Sequence, residues 1–406
     1  MIKTLNIRHL RVFLGVVESK SISKASDKAF LSQPAVTQAI AKLEDTLHTT
    51  LFERRSDGMY ATESGKVFAH RVSRALDMLA NGVRGAMRIS TGKGRNRPSQ
   101  LLQSLTTTQL RALIAVSGAQ NFSIASRNLG VSQSSLHRAA RELESMLGIV
   151  LFEKTSIGIS ASKAARFLAR EAKLAFAEIA QGRDEISSLH NREIGRIVVG
   201  SMPLARTSLL PMAIIEFSEN YPDFNFSVAD GPYDDLLYHL RHGEIDLLIG
   251  ALRFPLPSDD VVQEELFSSA ITIVARHDHP LCHSKSISLQ KLAASSWVVP
   301  RTGAPTRAVF EALFVDADMA TPKRLIEASS MILIRSLLLG SDRLTLISEH
   351  QLQFELDAGV LATVPYDLSH LVRPIGITMR KSWKPTDKQL SFINLLRNNA
   401  PRSRSV

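Results

Sequence analysis

Apolar positions near the start of the chain recur with helical spacing. Leu10, Phe13, Leu14 and Val17 lie three or four residues apart, or adjacent, and predict a first helix with one apolar face. Ser23 is placed to cap a short second helix, whose small side chains would let a neighbouring backbone come close. This pattern predicts a tightly packed helical pair.

A third helix is predicted from about Gln33 to Leu47. Ser32 is its expected N-cap, and Pro34 falls in the first turn, where the missing N–H costs nothing. Its inward face carries the apolar residues Val36, Ile40, Leu43 and Leu47. Its outward face carries groups that can hydrogen-bond to base edges in a major groove or contact phosphate, namely Gln33, Thr37, Gln38 and Lys42.

The stretch 51–58 has the pattern of a strand followed by a turn. It carries two adjacent arginines, Arg54 and Arg55, so it predicts a wing able to grip the DNA backbone or minor groove. The three helices and the wing together predict a DNA-binding module.

The whole pattern is written a second time, displaced by 100 residues and without a gap. One supersecondary unit has therefore been duplicated. Identities at this offset include Leu10/Leu110, Ser23/Ser123, Ser32/Ser132, Gln33/Gln133, Leu43/Leu143, Glu44/Glu144 and Leu51-Phe52-Glu53/Leu151-Phe152-Glu153.

Each copy is followed by a stretch with a helical apolar stripe, at 66–89 and 163–189. Between the copies, residues 91–100 contain Gly, Pro and cations without a large apolar residue, and predict a flexible basic tether. Ten flexible residues span about 17 Å, which is short against the ~34 Å between DNA half-sites one turn apart. We hypothesise that the two linker helices of one chain pair with each other and make a covalent pseudo-dimer. The alternative is that each helix packs on its own module.

From residue 196 onward, short apolar strands alternate with helices. Strands are predicted at 196–200, 224–229 and 245–250, with helices between them, and a second set of elements begins at about 270. This alternation predicts an α/β region with a parallel sheet.

The charge is concentrated in the duplicated part of the chain. Residues 1–100 carry 17 basic against 8 acidic side chains, whereas residues 193–406 carry 21 against 24. A basic half joined to a near-neutral half suggests that the duplicated part meets a polyanion. No apolar run approaches the ~20 residues of a membrane span and no export signal is evident, so a cytoplasmic location is expected.

The repeat unit resembles the winged helix-turn-helix of LysR-type transcriptional regulators. The matching segments are Ser23-Lys24-Ala25-Ser26, Leu31-Ser32-Gln33-Pro34-Ala35-Val36-Thr37, Leu43-Glu44, Leu51-Phe52-Glu53-Arg54 and Thr62-Glu63-Ser64-Gly65. The resemblance implies a DNA-binding regulator tuned by a small-molecule effector, with linker helices that pair antiparallel to form a dimer. The ordinary family member has one such module, whereas this chain has two.

The implied fold is mixed α and α/β. It has two winged helix-turn-helix modules with linker helices, followed by a two-lobe α/β effector domain that resembles a periplasmic binding protein. The predicted boundaries are 5–65 and 105–162 for the modules, 66–90 and 163–191 for the linker helices, 91–104 for the tether and 194–400 for the effector domain, with lobe I at 194–269 and 349–400 and lobe II at 270–348.

The second module keeps part of the candidate DNA surface. Its wing is weaker, because Lys154-Thr155 replaces Arg54-Arg55. The alternative is that only the first module binds DNA and that the second serves dimerisation or protein contact. The candidate DNA-binding residues are Ser32, Gln33, Pro34, Thr37, Gln38, Lys42, Arg54 and Arg55 in the first module, and Ser132, Gln133, Ser134, His137, Arg138 and Lys154 in the second.

Ligands of α/β lobes bind at strand ends and helix N-termini. Hydroxyl and backbone N–H groups there would suit a carboxylate or a sugar hydroxyl. The candidate effector-binding residues are Ser201, Met202, Arg301, Thr302, Gly303, Ser329 and Ser330. A small organic acid or sugar is therefore the expected effector, and its identity stays open.

Two other classes of protein fit the sequence less well. An enzyme is disfavoured because none of the familiar catalytic or phosphate-binding motifs stands in a supporting context. A solute-binding protein is disfavoured by the two DNA modules and the missing export signal. No catalytic residue, metal site or cofactor is predicted, and the single Cys282 excludes an internal disulfide. The expected partners are double-stranded DNA, RNA polymerase and further copies of the chain, as a homodimer or homotetramer.

Overall fold

The computed structural model describes residues 5–90, 98–156, 158–190, 192, 194–368 and 370–401. For residues 98–100 it describes the backbone. The chain divides into two compact units, of which the first runs to residue 197 and includes 223–225 and 241–244. We call them the amino-terminal unit and the carboxy-terminal unit.

The amino-terminal unit contains the same succession of elements twice. The first copy comprises α1 (Ile7–Ser19), α2 (Ile22–Ala29), α3 (Gln33–Leu47), β1 (Phe52–Arg55), β2 (Gly58–Ala61) and α4 (Glu63–Ser90). A short helix, α5 (Pro98–Ser104), precedes the second copy, which comprises α6 (Thr107–Ala119), α7 (Phe122–Leu129), α8 (Gln133–Leu147), β3 (Phe152–Thr155), β4 (Gly158–Ala161) and α9 (Lys163–Leu189). We call 7–61 the first module and 107–161 the second module.

The helix boundaries follow from local capping. Ser32 caps α3, since its hydroxyl accepts a hydrogen bond from the backbone N–H of Ala35 at 3.4 Å. The predicted cap of α2 is wrong, because Ser21 and not Ser23 accepts from the backbone N–H of Lys24. Ser23 already lies in the first turn of α2, so its side chain is available for another contact.

The same two hydrogen bonds join the third helix to the start of the wing in both modules. The Glu44 carboxylate accepts from the backbone N–H groups of Leu51, at 2.7 Å, and Phe52, at 3.3 Å. Glu144 accepts from Leu151, at 2.8 Å, and Phe152, at 3.0 Å. These bonds explain why the glutamate and the Leu-Phe pair recur together in both copies.

The predicted flexible tether is wrong for its second part. Residues 98–104 form α5, because Pro98 suits a first helical turn and Leu101 is buried at 2% exposure in the core of the unit. The Arg11 guanidinium donates hydrogen bonds to the carbonyls of Gln103 and Leu105, at 2.9 and 3.1 Å. Residues 91–97 lie outside the described part of the chain.

Helices α4 and α9 pack against each other in antiparallel orientation. Gly182, near the end of α9, lies against Phe68 and Arg71 near the start of α4. Gly82, near the end of α4, lies against Leu168 and Glu171 near the start of α9. These contacts are equivalent under the offset of 100 residues, so the helix pair has an internal pseudo-twofold symmetry. The buried apolar residues of both modules and both helices form one hydrophobic core.

The carboxy-terminal unit is built on a single nine-stranded sheet. Its order is β10-β9-β11-β8-β13-β7-β5-β6, with β12 paired to β8. The strands are β5 (Gly195–Ser201), β6 (Phe224–Ala229), β7 (Leu247–Ala251), β8 (Val261–Arg276), β9 (Ser296–Val299), β10 (Leu325–Glu327), β11 (Arg343–Ser348), β12 (Leu361–Val364) and β13 (Val372–Arg380). The helices are α10 (Leu209–Asn220), α11 (Tyr233–Arg241), α12 (Leu289–Ala294), α13 (Pro305–Val315), α14 (Met331–Leu339), α15 (Gln353–Asp357) and α16 (Asp387–Asn398).

Strand β8 runs through both halves of this sheet. Its residues 261–270 pair with β13, and its residues 271–276 pair with β11 and β12. The predicted lobe boundary is therefore wrong at one place, because it puts β12 in the same lobe as β13, whereas β12 belongs to the other half. Leu361 and Val364 of β12 are buried in the cores of that half, which accounts for the pairing.

Candidate functional site

The first module presents a polar face on α3. Val36, Ile40 and Leu43 are buried, whereas Gln33, Pro34, Thr37, Gln38 and Lys42 are exposed. The Gln33 side-chain amide donates to the Ser23 hydroxyl at 3.3 Å, and the Thr37 hydroxyl donates to the Gln33 carbonyl at 3.1 Å. Both side chains are thus oriented by neighbours while keeping acceptor atoms free for a base edge.

The two arginines in the wing of the first module have different surroundings. Arg55 pairs with the carboxylate of Glu53 and lies 4.7 Å from the centroid of the Tyr60 ring. Arg54 is exposed and has no acidic partner among the described residues. An exposed ion pair such as Arg55–Glu53 contributes little to stability. Arg55 can therefore leave Glu53 to bind a phosphate, and Arg54 can bind one directly.

The second module presents an equivalent face on α8. Ser132 caps this helix by accepting from the backbone N–H of Ser135 at 3.2 Å. The Ser123 hydroxyl donates to the Gln133 side chain at 2.9 Å, which repeats the Ser23–Gln33 contact of the first module. Four exposed side chains of α8 line one surface concavity, namely Gln133, Ser134, His137 and Arg138.

The wing of the second module is less basic. Lys154 is exposed on β3, and Thr155 takes the place of Arg55. Ser160 and Gln120 stand where the first module has Tyr60 and Lys20. The aromatic ring and the two cations beside it therefore have no counterpart in this module.

The predicted effector residues of the first half of the sheet, Ser201 and Met202, lie at the carboxyl end of β5, beside β7. These strands are parallel, and Ser201 is in register with Ile249. Ser201 is fully buried, and its hydroxyl donates to the Met202 carbonyl at 3.3 Å. Met202 packs so closely on Gly250 that a methyl group there would lie 2.4 Å from its Cγ. Ser201 is therefore closed off from solvent, and Met202 adds an apolar side chain and no polar group at this strand end.

The predicted effector residues of the second half come together at the ends of β9 and β10. Arg301, Thr302 and Gly303 follow β9, Ser329 and Ser330 follow β10, and these parallel strands are neighbours. The backbone N–H of Thr302 donates to the Glu327 carboxylate at 3.3 Å. Gly303 has a φ of +85°, which favours glycine. The Ser330 hydroxyl makes no capping bond to α14 and is free to bind a ligand.

Two further arginines were missed by sequence reasoning. Arg253 follows β7, and Arg373 lies beside it because the backbone N–H of Leu252 donates to the Pro374 carbonyl at 2.9 Å. Arg373 donates to the Thr306 hydroxyl at 2.6 Å and so reaches the loop and helix that follow β9. The Arg253 guanidinium lies 4.4 Å from the centroid of the Tyr233 ring.

These two guanidinium groups have no carboxylate partner among the described residues. Burial lowers the pKa of Arg373, and the positive charge of Arg253 lowers it further. Two neighbouring cations without an acid favour a bound anion. Arg253 follows a predicted strand, so it could have been found by examining the residues after every predicted strand. Arg373 lies at the start of the antiparallel strand β13 and not after its end, so the same search would not have found it.

A cavity of about 450 Å³ lies in the carboxy-terminal unit. It is lined by residues that include Thr207, Met331, Arg335, His350 and Phe354. Its cation is neutralised, because Arg335 pairs with Glu355 at 3.2 Å. In the described residues no cluster of three or more His, Cys, Asp or Glu side chains could hold a metal ion, and no helix is long and apolar enough to cross a membrane.

The chain matches two family models. The LysR substrate binding domain matches residues 190–401. The model described as bacterial regulatory helix-turn-helix protein, lysR family, matches twice, at 7–66 and 107–166.

Curated relatives differ in how much of the chain they cover. The HTH-type transcriptional regulator GalR of Pseudomonas putida is 32% identical over 375 residues, which is 92% of both chains. Only about 31 of the 406 residues (406 − 375) fall outside this match, so it overlaps both helix-turn-helix segments. The regulator PcaQ of Agrobacterium fabrum is 27% identical and covers 70% of this chain but 91% of its own.

Solved structures support the fold. A full-length OxyR point variant from Pseudomonas aeruginosa matches with a TM-score of 0.52 at 22% identity, over 73% of this chain and 94% of its own. CbnR, a LysR family transcriptional regulator, matches with a TM-score of 0.50 at 19% identity, over 72% and 99% of the two chains.

Proposed function

The chain belongs to the LysR family of bacterial transcriptional regulators, and we propose that both of its helix-turn-helix modules bind DNA under the control of an acidic effector. It is a DNA-binding regulator with an effector-binding domain, and it is not an enzyme. A location in the bacterial cytoplasm follows from the proposal, because that is where its operator lies.

One observation carries the proposal for two modules. The Ser–Gln contact that orients the first residue of α3 recurs at the first residue of α8, and both helices leave their outward faces exposed. A duplicated scaffold kept only for dimerisation would not need this polar contact at its surface. The α4–α9 pair then makes each chain a pseudo-dimer of winged modules.

The proposed roles divide between positioning and sequence reading. Lys42, Arg54 and Arg55 contact phosphates and orient the first module on the duplex. Gln33, Thr37 and Gln38 contact base edges, with Ser32 and Pro34 at the helix N-terminus near a phosphate. The corresponding residues of the second module are Ser132, Gln133, Ser134, His137, Arg138 and Lys154.

The second module contacts DNA with fewer cations on its wing. Each phosphate contact contributes counterion release, so the loss of one cation weakens binding and lowers its salt dependence. The second module therefore acts as the weaker reader of the pair.

We propose that the effector is a small organic acid held by Arg253 and Arg373. Support comes from their neighbouring guanidinium groups without an acidic partner among the described residues, and from the contact of Arg373 with Thr306. Ser330, whose hydroxyl makes no capping bond, follows β10, the strand paired with β9. Binding of the anion would favour one arrangement of the sheet halves over another, and this differential affinity is what couples the effector to DNA binding. RNA polymerase and further copies of the chain are the proposed macromolecular partners.

DNase footprinting tests the two-module proposal. The wild type is compared with Gln133→Ala/Arg138→Ala, and with Gln33→Ala/Gln38→Ala as the matched pair in the first module. We expect each double variant to lose a different part of the footprint. An unchanged footprint for the α8 variant would instead favour the alternative, in which the second module serves dimerisation or protein contact.

Thermal stabilisation tests the acid proposal. A panel of small mono- and dicarboxylates is compared with neutral sugars on the wild type, on Arg373→Gln and on Arg335→Gln, whose cation already has an acidic partner. We expect an acid to raise the melting temperature of the wild type and of Arg335→Gln but not of Arg373→Gln. Stabilisation by a neutral sugar that survives Arg373→Gln would contradict this assignment.

A further inference from the structure

The contact between α4 and α9 contains buried charges. Arg71 and Glu178 each have only 3% of the side chain exposed, and Arg71 Nη1 lies 3.0 Å from Glu178 Oε2. Arg74 donates to both oxygens of Glu178, each at 2.9 Å. Arg71 also donates to Gln181 at 3.2 Å and to both oxygens of Glu185. We call these five residues the Arg71 cluster.

The charges of the Arg71 cluster are divided by sign between the two helices. All its cations lie on α4, and both its carboxylates lie on α9. Burial alone would raise the pKa of Glu178, but the hydrogen bonds and charges of Arg74 and Arg71 outweigh it and hold that pKa below its usual value. Glu178 is therefore ionised, and the buried contact is a true ion pair.

The internal repeat shows which residues would face each other if two copies of α4 formed a pair. The offset of 100 residues places Met78 where α9 has Glu178, Asn81 where it has Gln181, and Gly85 where it has Glu185. In the same antiparallel register, the buried guanidinium of Arg71 would then face no carboxylate. Removing the partner of a buried charge costs far more than an exposed ion pair contributes.

A pair of two α9 helices fails for the opposite reason. The residue of α9 equivalent to Arg71 is Glu171. The buried carboxylate of Glu178 would therefore face another carboxylate across the helix pair, and like charges in a buried site oppose ionisation. Only the mixed pair places cations against anions.

We propose that the Arg71 cluster makes this helix pair heterospecific, so that α4 accepts α9 of its own chain and rejects α4 of a second copy. The cluster acts on specificity, because a well-packed apolar substitute for a buried ion pair often leaves stability unchanged. Both halves of the paired-helix unit then come from one chain. Larger assemblies of this protein cannot form through an α4–α4 or an α9–α9 pair.

The test removes the covalent link between the two helices. A protease recognition sequence is inserted between Ser90 and Pro98 of the full-length chain, and native mass spectrometry identifies the complexes after cleavage. We expect every complex to contain the amino-terminal and carboxy-terminal fragments in equal numbers. Pairs of the amino-terminal fragment alone, in the wild-type sequence, would overturn the proposal.

A variant assigns the specificity to the cluster. Arg71→Met/Glu178→Met replaces the central ion pair by unbranched apolar side chains, one of which stands naturally at the equivalent position 78. We expect homopairs of the amino-terminal fragment to rise at least tenfold over the wild type. If every complex of this variant still contains the two fragments in equal numbers, the assignment is overturned.

The control replaces an exposed ion pair on the same helix. Lys66 lies 3.3 Å from Glu63, and both side chains are more than 60% exposed. Glu63→Gln/Lys66→Met is expected to keep the wild-type composition. Circular dichroism melting establishes that each variant is folded, and the wild-type measurement decides the proposal by itself if the apolar variant does not fold.

Discussion

The first and second modules share their internal scaffold but differ in the residues on their surfaces. Glu44 and Glu144 make the same pair of hydrogen bonds to the backbone, and both third helices bury the same apolar positions. On the wings, by contrast, Arg55 and Tyr60 of the first module have become Thr155 and Ser160. Duplication therefore preserved the fold of the module, while the exposed surface of its wing diverged.

The linker helices differ more than the modules they carry. Phe68 and Leu168 both pack against a glycine of the opposite helix, so the crossing is symmetric. The buried charges are asymmetric, because Arg71 has Glu171 as its counterpart and Glu178 has Met78. A symmetric crossing with asymmetric charges is what converts a dimer interface into an internal contact.

The largest expected effect compares Glu178 with its counterpart Met78. Glu178→Ala removes the most deeply buried carboxylate that pairs with Arg71, and with it the acid that pairs with Arg74, and should cost about 3–5 kcal/mol, whereas Met78→Ala removes a half-buried apolar side chain and should cost less. Urea unfolding of both variants measures the difference. Equal costs would mean that the charge asymmetry is irrelevant to stability.

The same carboxylate predicts an acid dependence. The pKa of Glu178 is lowered in the folded protein, so its contribution to stability is present above the unfolded value of about 4.3 and is lost as the pH falls through the lowered pKa. The wild type should therefore lose stability in acid more steeply than Glu178→Gln. Parallel curves of unfolding free energy against pH would contradict this expectation.

Paired substitutions of Glu44 and Glu144 test whether the two module scaffolds are equally stable. Glu44→Ala and Glu144→Ala each remove two charge-assisted hydrogen bonds from backbone N–H groups and should cost about 1.5–3 kcal/mol. We expect the two losses to agree within about 1 kcal/mol, since the bonds are equivalent. A loss confined to one module, measured by chemical unfolding, would show that the scaffolds have diverged as well.

Gln33 and Gln133 are the first residues of α3 and α8, so paired substitutions compare the two surfaces. Gln33→Ala and Gln133→Ala should each reduce discrimination between operator and random DNA by about 1–3 kcal/mol if both read a base. Fluorescence anisotropy on the two DNAs measures the ratio. An effect of Gln33→Ala without an effect of Gln133→Ala would restrict sequence reading to the first module.

Exchange of the wing residues should have the smallest effect. Arg54→Ala should lower the slope of log affinity against log salt by about 1, and Thr155→Arg should raise it by up to the same amount. Titrations at several salt concentrations provide the slopes. If Thr155→Arg leaves the slope unchanged, the second wing does not reach a phosphate.

Local patterns predict what local chemistry controls. The bounds of α3 follow from Ser32, Pro34 and the apolar face, and the linker helices follow from their stripes. The cap of α2 is not predictable in this way, because Ser21 and Ser23 both stand near its start and only the backbone geometry distinguishes them. Helix α5 was not predicted, because the Gly and Pro residues before it are typical of a loop. Its position depends on the burial of Leu101 in a core formed by residues far away in the sequence.

Features that depend on tertiary register could not be predicted. Arg71 and Glu178 look like residues of a solvated helix face until the helices are aligned, because nothing in either stretch alone indicates burial. Arg253 and Arg373 are brought together by an antiparallel strand more than 100 residues later in the chain. The place of β12 in the sheet depends on its pairing with β8, and the sequence of either strand alone does not indicate that pairing.

A DNA-cleaving iron chelate, attached to α3 and to α8 in turn, tests whether both modules bind DNA. Ala41→Cys and Arg141→Cys occupy equivalent exposed positions on α3 and α8, in a Cys282→Ser background that leaves a single thiol for attachment. If both modules of the chain bind the operator, each chelate cuts it, at two separate places. Cleavage from position 41 without cleavage from position 141 would contradict the account and leave the second module as a structural partner.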